Sequence, residues 1–317
     1  MGRRSDDAVA TLLLTHRLSD RTDEPLKSNE YWQLLADVGE NPGRLLGQTP
    51  AAIEDTLGCA PAQAVRLASL LDEGNRMAFS LEEVEHSGLT VITVFDDGFP
   101  LRLRDRLGRL APPLLHVAGS LDLLHDDGVA VVGSRAASPA ARQVASAVAR
   151  LAAEHGLVTV SGGARGIDQT AMAAAREAGG RVVGALADSL TRRLAESETR
   201  RAVLDGEVTL LTPYHPSAAF SVGSAMGRNK IIYGLARMTV VVTSDKGDGG
   251  TWGGATEAIK RRFGTVAVWT GDGAGAGNQP LVERGALAFD CIDERLLTTA
   301  VAEYQAPAPP EQLSLPA

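Results

Sequence analysis

From Gly88 onward the chain alternates short apolar segments with longer segments of helical spacing. The apolar segments are rich in valine and threonine and read, in order, LTVITVFD, GVAVVGS, GLVTVSG, RVVGALAD, VTLLTPY, MTVVVTS and TVAVWTG. The stretches between several of them, such as SPAARQVASAVARLAAEHG and GIDQTAMAAAREAGG, predict helices. Buried strands that alternate with helices are typical of a parallel sheet covered on both faces. We therefore predict an α/β fold with a doubly wound, mostly parallel sheet.

The segment that precedes this sheet has helical spacing throughout residues 28–87. One short helix in it is predicted from Thr49 as the cap, Pro50 as the first helical residue and Gly58 as the stop. These helices predict a small N-terminal all-helical domain. It is either a helix-hairpin-helix module that binds the DNA backbone or a domain for packing and spacing.

The two ends of the chain have no such patterns. Residues 1–27 are polar and unpatterned, so we expect a flexible N-terminus. Residues 304–317 are rich in proline and alanine, so we expect a disordered tail. The sheet domain is thereby assigned to residues 88–303.

The composition excludes several classes of protein. Hydrophobic residues make up 44% and charged residues 22%, as in an ordinary soluble protein. No run of about 18 apolar residues occurs, and the apolar stretch after the first arginines is too short for a signal peptide. The two cysteines, Cys59 and Cys291, show no metal-ligand spacing and predict unpaired thiols in a reducing compartment. We expect a cytoplasmic protein that contacts no membrane.

The net charge of −8 argues against a protein that coats nucleic acid over its whole surface. It does not exclude a local basic pocket, because salt screens exposed charges beyond about 10 Å. The position of the basic residues therefore matters more than their number.

Basic residues and glycines gather in three segments that follow predicted strands: VVGSRAASPAARQ, SGGARGID and GSAMGRNKIIYGLA. In a parallel sheet, ligands bind beyond the carboxyl ends of the strands, where helix N-termini offer free N–H groups to anions. Glycine lets the backbone approach an anion, and arginine offers a fork that suits phosphate oxygens. The predicted phosphate-binding residues are Gly133, Ser134, Arg135, Ser161, Gly162, Gly163, Arg165, Gly166, Asp168, Arg228, Asn229 and Lys230.

These segments also have purely structural interpretations. A glycine-rich turn before a helix is often only a tight connection, and Asp168 is equally suited to stabilise the first turn of its helix. The combination of three such segments at one sheet edge favours a ligand site. The sequence GSRAAS after its strand lacks the dinucleotide fingerprint, and the six histidines form no metal-binding cluster. We therefore expect neither a cofactor nor a metal.

Several motifs occur here in an order that is known from one family. They are GLTVITVFDDGFPLRLRDRLGRLAPPLLHVAGSLDLL, VAVVGSRAAS, VSGGARGID, GRNKIIYGLA and GNQPLVERGA. On these motifs residues 88–286, nearly two thirds of the chain, resemble the DNA-processing protein DprA (Smf) family. The resemblance implies an extended Rossmann-like fold and a homodimer. It also implies that a basic pocket binds single-stranded DNA, which is handed to the recombinase RecA during transformation. The residues that it places at this pocket are Arg135, Gly162, Gly163, Arg165, Arg228, Asn229 and Lys230.

Three features depart from the family pattern. The usual C-terminal winged helix has no counterpart after FDCIDERLLTTAVAEY, and DSLTRRLAESETRRAVLDGE does not match the family's usual stretch. The segment SDKGDGGTWGGATEAIKRR partly resembles the LOG proteins, which are nucleoside-monophosphate phosphoribohydrolases. The residues that carry this second resemblance are Gly249, Gly250, Thr251 and Glu257, with Arg228 on the preceding helix. The residues 245–248 and the spacing of WGGA interrupt the match.

Three functions therefore stay open. In the first, which we favour, the pocket binds single-stranded DNA, protects it and loads RecA, and no bond is broken. In the second, Glu257 activates water at a ribose carbon and Arg228 steers the phosphate. Against this, Glu257 is equally suited to pair with Arg261 on the helix surface. In the third, a nucleotide-sensing domain uses the same pocket without turnover.

Overall fold

The computed structural model describes residues 4–17 and 23–297. The strands in this part of the chain are β1 (Thr90–Thr93), β2 (Leu114–Ala118), β3 (Gly128–Gly133), β4 (Val158–Ser161), β5 (Val182–Ala185), β6 (Val208–Thr212), β7 (Met238–Thr243), β8 (Thr265–Trp269) and β9 (Leu287–Phe289). The α-helices are α1 (Asp6–Thr15), α2 (Ser28–Asp37), α3 (Pro50–Leu57), α4 (Pro61–Leu71), α5 (Gly74–His86), α6 (Leu101–Leu107), α7 (Pro139–Glu154), α8 (Ile167–Glu177), α9 (Leu190–Ala195), α10 (Ser197–Leu204), α11 (Val222–Leu235), α12 (Gly249–Arg261) and α13 (Asn278–Val282).

The strands form one sheet in the order β1-β2-β6-β5-β4-β3-β7-β8-β9. The pairs β1–β2 and β2–β6 are antiparallel, and every pair from β6 to β9 is parallel. The predicted α/β fold with a mostly parallel sheet is confirmed. The strands β4, β5 and β6 follow one another on one side of β3, whereas β7, β8 and β9 follow one another on its other side. This reversal places a crevice at the carboxyl ends of β3 and β7, where ligands bind in doubly wound sheets.

Both faces of the sheet are covered, which explains the continuous apolar runs. On one face α7 and α8 pack through small residues, and Ala145, Ala149 and Ala171 are fully buried there. The strands β3 and β7 are in register from Val129 opposite Met238, with an irregularity after Val132. The first predicted loop leaves the sheet at this irregularity.

The N-terminal helices pack on the opposite face and share one apolar core with the sheet. Leu67 of α4 belongs to the same buried cluster as Leu115 of β2, and Trp32 Nε1 donates a hydrogen bond to the Ala111 carbonyl oxygen at 2.7 Å. The predicted start and stop of α3 are confirmed, since Thr49 accepts from Ala52 N and Gly58 has a φ of 59°.

The expectation of a flexible segment over residues 1–27 is wrong for residues 6–15. These residues form α1, which Ser5 caps and whose residues Leu12, Leu13 and Leu14 are buried. The run of leucines is short and lies between polar residues, and it becomes a core element because it packs against the other N-terminal helices and the sheet. Residues 1–3 and 18–22 lie outside the described residues, as do the predicted tail at 304–317 and the end of the sheet domain. No helix in the described part of the chain is both long and apolar enough to cross a membrane.

Candidate functional site

A cavity with two lobes opens at the carboxyl ends of the parallel strands. The large lobe has a volume of about 550 Å³ and the small lobe a volume of about 170 Å³. The residues that line both lobes are Arg135, Ala164, Phe220 and Arg228. Segments that follow β3, β4 and β6 thus meet at this cavity, which lies where the reversal of strand order predicts a ligand site.

The two lobes differ in charge. Four arginines and one aspartate line the small lobe: Arg135, Arg165, Arg193, Arg228 and Asp188. Two arginines and three aspartates line the large lobe: Arg135, Arg228, Asp168, Asp245 and Asp248. A phosphate group is therefore attracted to the small lobe, while the large lobe suits an uncharged part of the same ligand.

Arg228 and Asp168 form the buried floor of the site, with 5% and 6% of their surfaces exposed. Arg228 Nη1 donates a hydrogen bond to the Ala185 carbonyl oxygen at 2.9 Å. Burial raises the pKa of Asp168 to about 6, although Arg228 and the backbone N–H of Ala164 and of Gly162 act to lower it. Burial likewise lowers the pKa of Arg228, and the charge of Asp168 opposes this shift. A strong cation thus lies beside a carboxyl group that titrates close to neutral pH.

The glycines of SGGARGID make this floor possible. A Cβ atom on Gly162 would lie 1.7 Å from Arg228 Nη1 and 2.7 Å from Asp168 Oδ2, so no side chain fits there. Gly163 has a φ of +66°, a conformation that other residues adopt only with strain. Gly166 has a φ of +86°, and a Cβ atom on it would lie 2.5 Å from the Ser134 carbonyl oxygen. These glycines therefore have two roles. Gly163 and Gly166 turn the chain, and Gly162 and Gly166 leave room for neighbouring groups.

Phe220 at the cavity is a residue that sequence reasoning missed. It lies in the loop 213–221 between β6 and α11, lines both lobes and is 49% exposed. The guanidinium carbon of Arg135 lies 5.2 Å from its ring centroid, within the range of a cation–π contact. An exposed aromatic ring beside arginines is a platform on which a base can stack. The only signal in the sequence was an aromatic residue in a polar loop of a chain with 4% aromatic content.

Ten of the twelve predicted residues lie at the cavity or in the two loops that form it, and Ser161 and Lys230 do not. The Ser161 hydroxyl donates to the Val131 carbonyl oxygen at 2.7 Å and is buried between β4 and β3. Lys230 Nζ lies 2.8 Å from Glu257 Oε2, and neither residue lines either lobe. Arg228 and Lys230 belong to α11 rather than to a loop, and helical geometry points them in different directions.

Glu257 forms the ion pair with Arg261 that is the structural alternative to a catalytic role. Its Oε1 lies 3.3 Å from Arg261 Nε, and its Oε2 faces Lys230. The carboxylate is therefore held between two cations, and neither it nor these cations line either lobe of the cavity. The segment Asp245–Thr251 does reach the large lobe, and Asn229 Nδ2 donates there to the Gly250 carbonyl oxygen at 3.1 Å.

Comparisons with known proteins agree on one family. The family model of the DNA recombination-mediator protein A matches residues 90–299. The DNA processing protein DprA of Streptococcus pneumoniae is 32% identical over 219 residues, which cover 68% of this chain and 73% of that protein. The X-ray structure of DprA from Streptococcus pneumoniae has a TM-score of 0.70 at 23% identity, over 96% of this chain and 99% of that one. A structure of DNA processing protein A from Helicobacter pylori, described for its single-stranded DNA binding mode, has a TM-score of 0.56 at 22% identity, over 69% of this chain and 99% of that one.

Proposed function

Because the chain belongs to the DNA recombination-mediator protein A family, we propose that it binds single-stranded DNA in the two-lobed cavity. The observation that carries this proposal is the meeting of four arginines at the small lobe of an otherwise acidic chain. The Helicobacter pylori relative, whose structure is described for single-stranded DNA binding, supports it further.

In this proposal the phosphates bind in the small lobe and a nucleoside lies against Phe220 or in the large lobe. Arg135 and Arg165 are exposed and offer paired N–H donors to phosphate oxygens, whereas Arg228 supplies charge from below. Contacts of this kind fix the strand without reading its sequence. Affinity should therefore fall steeply as the salt concentration rises.

We propose binding rather than hydrolysis, because Glu257 does not line the cavity and its carboxylate is shared by two cations. A general base has to come within hydrogen-bonding reach of the water that it activates. Incubation with nucleoside monophosphates, followed by chromatography for free base, tests this choice. Release of free base that is lost in Glu257→Gln would contradict it.

We also propose that the protein acts in the cytoplasm as a homodimer that protects incoming DNA and passes it to RecA. Family membership supports this, together with a physical argument. One small lobe neutralises only a few phosphates, and two cavities on one strand would gain through effective concentration. Light scattering tests the dimer, and RecA loading onto single strands coated by a competing protein tests the transfer. A strict monomer with undiminished DNA affinity would speak against the dimer.

Fluorescence anisotropy of a labelled single-stranded oligonucleotide tests the binding itself. Arg135→Ala should weaken binding about tenfold or more, because a charge-assisted contact contributes about 1.5–3 kcal/mol. The matched control is Arg201→Ala on α10, whose side chain is 86% exposed and has only a 3.7 Å ion pair with Asp205. Equal losses in the two variants would mean that binding is spread over the surface, and the cavity would then not be the site.

A further inference from the structure

The segment 188–207, whose sequence DSLTRRLAESETRRAVLDGE departs from the family's usual stretch, forms a wall of the small lobe. It follows the carboxyl end of β5 and contains α9 and α10. Leu190 anchors α9 in the core with no exposed surface, and Thr191 N donates to the Pro216 carbonyl oxygen at 3.1 Å. Because Pro216 belongs to the loop 213–221 that carries Phe220, α9 is fixed against the same loop that borders the cavity.

Arg193 is the residue of α9 that reaches the small lobe, where it lies with Gly163 and Arg165. It forms two ion pairs at the long end of the ion-pair range, at 3.8 Å with Asp188 and 3.5 Å with Glu196. An arginine has five N–H donors, so pairs of this length leave its guanidinium able to bind another anion. The side chain is 30% exposed and is thus accessible from the lobe.

We propose that Arg193 binds a second phosphate of the DNA strand, next to the phosphate held by Arg135 and Arg165, so that the strand leaves the cavity over α9. This inference rests on the proposed binding of single-stranded DNA at the same cavity. Arg193 borders the same small lobe as Arg135 and Arg165, and each further phosphate that a cation neutralises adds to the affinity. A segment outside the family motifs thereby extends the binding site beyond the residues that those motifs predict.

Anisotropy titrations of a labelled single-stranded oligonucleotide at several salt concentrations test this role. Arg193→Ala should weaken binding about tenfold at low salt. It should also reduce the slope of log K against log salt by about 0.7, the value for one phosphate contact with a single strand. The matched control is Arg192→Ala, since Arg192 is the adjacent residue of α9, is exposed and lines neither lobe. Arg193→Lys should restore most of the slope, because it keeps the charge.

The outcomes separate this inference from the proposed function. If wild-type protein binds and Arg135→Ala weakens it, but Arg193→Ala behaves like Arg192→Ala, the role of Arg193 is refuted and the cavity remains. If wild-type protein does not bind single strands, both proposals fail. Thermal melting of the variants identifies any loss that comes from unfolding. A fall in affinity with an unchanged salt slope would mean that Arg193 only supports the wall, and would also overturn the inference.

Discussion

Binding of single-stranded DNA should become tighter as the pH falls through 6. Asp168 is buried beside Arg228 at the floor of the cavity, and burial raises the pKa of its carboxyl group to about 6. The charged groups that face it are Arg228 and Arg135, and the neighbouring Tyr233 hydroxyl stays neutral because burial raises its pKa. Protonation of Asp168 removes the carboxylate whose charge acts most strongly on Arg228. The net charge of the site then becomes more positive by one unit, and its attraction for a phosphate increases.

The pKa sets the size of this effect. With a pKa of about 6, roughly a tenth of the Asp168 carboxyl groups are protonated at pH 7 and roughly nine tenths at pH 5. If only the protonated form binds, the apparent Kd is the intrinsic Kd divided by this fraction. The affinity then rises about tenfold between pH 7 and pH 5, which is the upper limit for one group. Phosphodiesters do not titrate in this range, so the change belongs to the protein.

Anisotropy titrations at constant ionic strength from pH 5 to pH 8 measure the effect, with Asp168→Asn as the comparison. The variant should bind at pH 7 about as tightly as wild-type protein does at pH 5. Any pH dependence that it retains belongs to other groups such as His215, whose pKa burial and Arg17 lower. The reasoning is refuted if the two proteins show the same pH dependence.

Three other changes test the geometry around the cavity and the core. Gly162→Ala should displace Arg228, weaken DNA binding and lower the melting temperature, since forcing a methyl group into a packed site costs about 1–3 kcal/mol. Lys230→Ala should leave DNA binding nearly unchanged in anisotropy, because its ammonium group pairs with Glu257 outside the cavity. Protonation of His116 in the unfolded chain should reduce the free energy of unfolding by about 1.4 kcal/mol per pH unit as the pH falls from 6.5 towards 3. Its folded pKa of about 3 lies below the unfolded value, so the unfolded chain takes up the proton first, and urea unfolding of wild type and His116→Gln measures the difference.

The sheet and the place of the site were predictable because both depend on local patterns. Apolar runs such as MTVVVTS predict buried strands, and the carboxyl ends of parallel strands necessarily share one edge. The glycine and arginine residues that follow β3 and β4 therefore had to meet. The comparisons confirm the family that these motifs indicated.

The side chains that complete the site were not predictable in this way. The stretch GRNK lies inside α11, where successive residues point about 100° apart, so neighbours in the sequence face different surroundings. Arg228 therefore faces the core of the site while Lys230 faces Glu257. Phe220 and Arg193 line the same lobe from the loop 213–221 and from α9, which are joined by the hydrogen bond from Thr191 to Pro216 between segments that are separate in sequence.

We expect the acidic character of the chain and its basic cavity to act together in favouring single strands over duplexes. A net charge of −8 disfavours DNA binding over the surface as a whole, and screening confines the attraction of the four arginines to about 10 Å around the small lobe. Of these four arginines Arg228 is buried, so only a backbone that enters the lobe approaches it at contact distance. A duplex holds its bases inside and its backbone at fixed spacing, whereas a single strand can turn a phosphate into the lobe and a base onto Phe220. We therefore expect a preference for single strands that needs no contact that reads the sequence, and competition by an unlabelled duplex in the anisotropy assay measures it.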